Sequence, residues 1–383
     1  MERKSSLFKN LIFTIIIILL FLFVLEGLFR LASFIKNRLI YKGVVTILDT
    51  LPMAIPNADR IFELKPNYSQ KYLSSEFQMD ITTNSDGLRD IGHSISKPKN
   101  VYRIIALGDS MTFGWGVNQD DTWWKVLEDT LNSDKNTKYR YEIINLGVWM
   151  YTYDQQFLRL KDIGLKYQPD MVIQGIYWPH LRTISNHIWT KNESGVIAKI
   201  SDPTFYISKD GLLKTKDKNI FLNFLKTHSK LFNFVISRLQ VLFLKNQLIT
   251  SDLGLLNKDS ETNYQEVWQK AFESIKETKE LLDKRGIEYF VFLIPRDVQV
   301  SQLEWVPLYT NIMNQGLYQS NIPQNIFNKF LVSQDITVLD LLPIFRKDYS
   351  PQLYFPIDPH WTEMGHTLAA EQIYNFLKIH FIK

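Results

Sequence analysis

The chain contains no cysteine. That absence excludes disulfide frameworks, thiolate catalysis and cysteine-type zinc sites together. It says little about compartment, because a disulfide-free protein is stable inside or outside the cell. A surplus of one charge is missing too. Lysine and arginine number 44 against 40 acidic residues, a net +4, and the basic residues are scattered. No nucleic-acid footprint stands out, so no nucleic-acid partner is expected. No internal repeat or low-complexity tract is present. There is neither a His-Glu-x-x-His nor a paired-carboxylate motif, so no metal is expected. Residues 108–116 form neither a Gly-x-Gly-x-x-Gly nor a Walker loop, and no cofactor is expected.

What is present begins with an apolar end. Residues 11–25 contain one residue outside Leu, Ile, Phe and Val, namely Thr14, and apolar character continues to Phe29 past the single Glu26. About 20 residues cross a bilayer core, so residues 11–29 are expected to form an uncleaved transmembrane helix within an anchor over 1–35. No small-x-small cleavage site follows closely. Arg3, Lys4 and Lys9 precede the span while Arg30, Lys36, Arg38 and Lys42 follow it. The positive-inside rule therefore leaves its orientation open.

Residues 36–100 are punctuated by Pro52, Pro56, Pro66 and Pro98 and read as an approach segment packed on the main domain. Residues 77–82 have strand character, and Asn84-Ser-Asp-Gly87 is a turn signal. From residue 101 to 383 short apolar strands alternate with amphipathic helices. Strands are expected near 104–107, 141–146, 169–175, 287–294 and 337–341, and helices near 122–131, 157–163, 264–284 and 362–376. That alternation implies an α/β fold with a parallel sheet covered on both faces. Ligands of such sheets sit at the carboxyl ends of the strands, where Ser110, Gly147 and Gly175 fall. An insertion over about 186–262 interrupts the pattern. It holds a hairpin expected over 195–214, with Lys209-Asp-Gly211 as its turn, and an apolar helix over 221–248. That helix suits a core, a lid or a surface against the bilayer.

Two segments carry chemistry. In Gly108-Asp-Ser110, the serine stands at a strand-to-helix corner, a place for a nucleophile and equally for a helix cap. Asp358-Pro-His360 lies near the C-terminus, where the carboxylate can hold one imidazole nitrogen and leave the other facing outward. Together they supply a nucleophile, a base and an orienting acid. His366 is the rival base, although its place in the closing helix suits packing or capping better. The tryptophans Trp115, Trp149, Trp178 and Trp361 each lie close in sequence to one of these motifs. They would line a site mouth suited to sugar rings or acyl chains, or else serve as core and rim.

Gly-Asp-Ser110, Asn145-Leu-Gly147 and Asp358-x-His360 resemble blocks I, II and V of the SGNH/GDSL hydrolase superfamily. The lead-in Asn84-Ser-Asp-Gly-Leu-Arg89 and the N-terminal apolar run resemble its membrane-anchored bacterial members. The resemblance implies a three-layer α/β/α sandwich with a flavodoxin-like parallel sheet. It also implies Ser110 as nucleophile, His360 as base, Asp358 as its orienter, and an oxyanion hole of the Ser110 and Gly147 N–H groups. Anchored members usually place the catalytic domain outside the cytoplasm. One departure concerns block III, where Gly175-Ile-Tyr-Trp-Pro179-His180 has proline at the position of the oxyanion-donating asparagine. Proline has no N–H to donate, and losing one such donor costs about 2.7–4 kcal/mol of transition-state stabilisation. His180, Trp178 or Asn186 would have to replace it. A smaller departure is Asp-x-His in place of the commoner Asp-x-x-His, a spacing found in some acetyl-transfer relatives.

The expected function is a membrane-anchored serine esterase or deacylase acting on an acylated glycan or lipid. The alternatives are an O-acetyltransferase of a cell-surface polysaccharide and a catalytically weakened glycan-binding or assembly protein with the same fold.

Overall fold

The computed structural model describes residues 13–14, 16–17, 20–31, 44–46, 53–57, 59–74, 76–135, 137–182, 188–191, 197–201, 205–207, 213–215, 229, 231–232, 235, 254–301, 319–356 and 358–381. The chain divides into two units, residues 1–44 with 216–248, and residues 45–215 with 249–383.

In the larger unit five strands form one sheet. Two antiparallel hairpins come first in the chain: β1 (Ala54–Asn57) with β2 (Ile61–Leu64), and β3 (Ser69–Leu73) with β4 (Gln78–Thr82). The central sheet follows with β5 (Val101–Leu107), β6 (Arg140–Asn145), β7 (Met171–Tyr177), β8 (Glu288–Ile294) and β9 (Thr337–Asp340). Every pairing is parallel and the spatial order is β9-β8-β7-β5-β6. Numbered within the sheet this is 2-1-3-4-5, the order of flavodoxin-like sheets.

Strands buried on both faces read as continuous apolar runs, and their alternate residues feed two separate cores. Ile105, Leu107, Ile144, Val172 and Val291 pack on one face, where α3 (Tyr153–Asp162), α4 (Gln265–Asp283) and α5 (Ile322–Ser333) contribute Leu160, Ile275 and Phe327. Ile104, Ala106, Ile143, Ile173 and Phe292 pack on the other. There α2 (Trp123–Ser133), α6 (Leu342–Lys347) and α7 (Glu363–His380) contribute Leu127, Phe345 and Ile373.

The segment before the sheet has a core of its own. Met53, Phe62, Leu64, Tyr72, Met79 and Ile81 pack against Phe113, Val148, Trp149 and Tyr151, which follow the first two strands of the sheet at its carboxyl edge. The turn expected at Asn84–Gly87 is present, with the Asn84 side chain accepting from the N–H groups of Asp86 and Leu88. In the region read as an insertion, Ile188–Lys191 pairs with Ile197–Ser201 and Phe205–Ile207 with Leu213–Thr215, both antiparallel. Two short hairpins thus stand where one is expected. The turn at 209–211 lies outside the described residues, as does most of the helix expected over 221–248.

In the smaller unit, residues 20–31 are helical. Glu26, the acid inside the apolar run, pairs with Arg30 at 2.7 Å and accepts hydrogen bonds from Ser229 Oγ and Leu231 N. The transmembrane helix expected over 11–29 lies partly outside the described residues. Among those described, no helix is long and apolar enough to cross a membrane.

Candidate active site

The turn after β5 places the serine. Asp109 caps a helix of only four residues, α1 (Ser110–Phe113), its carboxylate accepting from Met111 N at 2.9 Å. Gly114, at φ +86°, ends the helix in the left-handed conformation that glycine adopts without strain. Ser110 is therefore the first helical residue, one of those whose N–H lacks an intrahelical acceptor. No backbone acceptor for it is found among the described residues. The serine is 5% exposed.

The imidazole arrives from the other end of the chain. His360 Nε2 lies 2.7 Å from Ser110 Oγ. Its Nδ1 is hydrogen-bonded to Asp358 Oδ1, which also accepts from the His360 backbone N–H at 3.0 Å. With the carboxylate accepting Nδ1–H, Nε2 is left to accept the serine proton. Burial favours the neutral acid at Asp358. The charge of His360, its two hydrogen bonds and the Trp115 indole outweigh it, holding the carboxyl below its ordinary range. The three residues named from sequence thus meet in series across a separation of 250 positions.

The Gly147 N–H, expected in the oxyanion hole, donates to Asn145 Oδ1 at 2.8 Å. The backbone of Gly147 lies against α1 so closely that a Cβ there would stand 2.6 Å from the Thr112 carbonyl carbon. The glycine permits this approach, and its observed donor is committed elsewhere. Pro179 falls in the turn Trp178–Arg182 after β7. The side chain of His180 and the whole of Asn186 lie outside the described residues.

The tryptophans divide. Trp115 is half-buried, its ring centroid 6.3 Å from that of His360. The other three do not line a mouth. Trp149 packs on Phe62 and Phe113, Trp178 donates to Gln299 Oε1 at 2.7 Å inside the core, and Trp361 stacks on Phe345. Trp361 follows His360 directly in an extended stretch that bridges to Tyr354. Neighbours in such a stretch point to opposite sides, so the same geometry that presents the imidazole buries the indole. His366 is engaged elsewhere. Its Nδ1 accepts from the N–H of Trp123 at the start of α2. Burial, with the charges of Arg89 and His360, lowers its pKa to about 3, so it stays neutral.

Two contacts had no expectation in the sequence. Glu76, at the tip of the β3–β4 hairpin, accepts from the Asp358 N–H at 2.9 Å. Arg89 is buried beneath α1, its guanidinium donating to Phe113 O and Gly114 O. The lead-in Asn84–Arg89 is visible as a motif, but nothing in sequence links Glu76 to a loop 282 positions away.

Residues 250–380 match the family model described as SGNH hydrolase-like domain, acetyltransferase AlgX. Over those residues the chain resembles an SGNH hydrolase-like domain. The matched stretch includes Asp358 and His360 but not Ser110, which the geometry alone brings to them. No curated protein matches the sequence. Among solved structures the chain is similar to a lipolytic protein of the G-D-S-L family from Desulfitobacterium hafniense DCB-2, at 14% identity and a TM-score of 0.37, over 71% of this chain and 98% of that one. It is also similar to the acetyl xylan esterase AlAXEase, at 12% and 0.39 over 72% and 99%. A lipase/acylhydrolase from Enterococcus faecalis gives 12% and 0.38 over 74% and 97%. With these TM-scores below 0.5, the resemblance to SGNH hydrolases rests on the family match over residues 250–380 and on the Ser110–His360–Asp358 geometry.

Proposed function

We propose that the protein is an SGNH-type serine enzyme that cleaves acyl esters through a covalent acyl-enzyme on Ser110. The observation that carries this is the series of contacts Ser110 Oγ, His360 Nε2, His360 Nδ1, Asp358 Oδ1. As Oγ bonds to the ester carbonyl carbon, its proton passes to Nε2, and Asp358 stabilises the imidazolium. The ester C–O bond then breaks and the proton leaves with the alcohol. In the second half-reaction a hydroxyl attacks the acyl-enzyme and gives its proton to Nε2; the Oγ–acyl bond then breaks as Oγ takes that proton back. The Ser110 N–H serves as the oxyanion donor in this reading, supported by its having no backbone acceptor among the described residues, and Pro179 adds none. Fewer donors imply a slow enzyme.

Whether water or a sugar hydroxyl takes the acyl group separates an esterase from an O-acetyltransferase. The family model, described as an acetyltransferase, favours the second reading. An acylated glycan or lipid is the substrate class proposed for both. The partly buried aromatic rings of Phe77, Trp115 and Phe355, beside the base, support an apolar ring or chain. Anchoring in the bilayer through residues 11–29, with the catalytic unit outside the cytoplasm, is part of the proposal. It is supported by the apolar run and by a helix whose Phe21, Phe23 and Leu28 are all exposed.

Incubating the protein with a chromogenic acetyl ester and an added oligosaccharide tests the partition. Acetate alone establishes the esterase, acetylated oligosaccharide the transferase, and release of neither refutes both.

A further inference from the structure

The proposed catalytic couple is built from segments 250 positions apart, yet each half is gripped by the segment that precedes the sheet. Beneath the nucleophile lies Arg89, fully buried. Its guanidinium donates to four carbonyl oxygens: Phe113 O at 2.8 Å, Gly114 O at 2.6 Å, Val117 O at 2.7 Å and Asp80 O at 3.1 Å. It also lies over the Phe113 ring, 4.9 Å from the centroid. Two of the four acceptors, Phe113 O and Gly114 O, are at the C-terminal end of α1, where helix carbonyls lack intrahelical partners and a cation is favoured, and Val117 O follows three residues on. A four-residue helix has too few internal bonds to hold its own axis. Its orientation, and hence the direction of Ser110 Oγ, depends on what holds its far end. The grip is closed on the other side by Asn145, whose Nδ2 donates to Arg89 O at 3.0 Å while its Oδ1 accepts from Gly147 N.

Above the couple, Glu76 accepts the Asp358 N–H from the tip of the β3–β4 hairpin. Phe77 beside it packs on Phe355 at 4.9 Å between centroids. The loop that carries the acid and the base is therefore fastened to the hairpin by one charge-assisted hydrogen bond and one ring pair.

We infer that Glu76 and Arg89 are positioning residues: Arg89 aims the Ser110 helix and Glu76 fixes the Asp358–His360 loop. The layer before the sheet is then a working part of the catalytic site. This inference rests on the acyl-enzyme reading above, and the experiment separates the two.

The full chain and its Arg89→Met, Arg89→Lys, Glu76→Ala and Glu76→Gln variants are compared by their rate of covalent labelling at Ser110 with a fluorophosphonate and by kcat and KM on p-nitrophenyl acetate. Glu76→Ala and Arg89→Met are expected to lower both the labelling rate and kcat by about tenfold or more, with KM within about threefold. Glu76→Gln keeps an oxygen acceptor for the Asp358 N–H and is expected to restore most of the rate. Arg89→Lys keeps the charge but not the fork, and is expected to recover only part. Glu76 is at a hairpin tip, so its variants test the idea even where an Arg89 variant fails to fold. Labelling at the wild-type rate in Glu76→Ala, or a Glu76→Gln variant no better than Glu76→Ala, would overturn the inference while leaving the acyl-enzyme standing. A wild-type protein that does not label at Ser110 would overturn both.

Discussion

Gly147 and Thr112 are in backbone contact: a Cβ at 147 would stand 2.6 Å from the Thr112 carbonyl carbon, two residues beyond the nucleophile. The obstacle is backbone, not the end of a flexible side chain, so nothing can rotate away. Gly147→Ala should displace α1 and reduce ester turnover by about tenfold or more. Steady-state kinetics on a chromogenic ester would show the loss in kcat.

Asp358 is held ionised against its burial by His360, its hydrogen bonds and Trp115. Replacing it with asparagine keeps the shape but removes the charge that selects the Nδ1–H tautomer. Turnover in Asp358→Asn should fall by roughly a hundredfold to ten-thousandfold, with the fold unchanged by circular dichroism. An unaltered kcat would show that the imidazole needs no orienting acid.

The tryptophans separate stability from activity. Trp178→Ala and Trp361→Ala each open the core and should cost about 3–5 kcal/mol of stability, read as a lowered denaturant midpoint. Trp115→Phe keeps the ring but removes the indole donor near Asp358. It should lower turnover with the midpoint nearly unchanged.

Acid stability should carry the mark of His366. Its folded pKa of about 3 lies below the ordinary value near 6.5, so between those pH values the unfolded chain binds the extra proton. Stability then rises with pH across that window and is lost on acidification, by at most about 1.4 kcal/mol per pH unit from this one group. Asp358, also depressed, contributes stability that is present above the unfolded carboxylate pKa and lost as pH falls through its lower folded value. In His366→Asn, whose amide oxygen can still accept from Trp123 N, unfolding measured between pH 6.5 and 4 should be flatter. An unchanged slope would assign the acid loss to other groups.

Much of this architecture is legible in sequence, for a physical reason. The strands Val101–Leu107 and Glu288–Ile294 are buried on both faces and announce themselves through the apolar runs 104–107 and 289–294. The helix Ile322–Ser333 goes unread although Ile322, Ile326, Phe327 and Leu331 have its period and Pro323 marks its first turn. The strands before residue 77 are short and interrupted by proline, and their burial comes from Phe113, Trp149 and Tyr151 far along the chain. That Ser110, His360 and Asp358 meet is legible because their residue types and spacing are constrained by the chemistry proposed for them. Glu76 is not, since it acts through a backbone N–H that any residue at 358 would present. Closeness in sequence to a motif also misleads: Trp361 adjoins the base yet points into the core.

In the proposed mechanism Ser110 becomes acylated with His360 as its base. Acid-quenching the protein during turnover of p-nitrophenyl acetate and mapping its peptides by mass tests this directly. The expected result is one acetyl group on the peptide bearing Ser110, absent in Ser110→Ala and strongly reduced in His360→Ala. Release of acetate with no acetyl group on that peptide, or with the group on another residue, would contradict it.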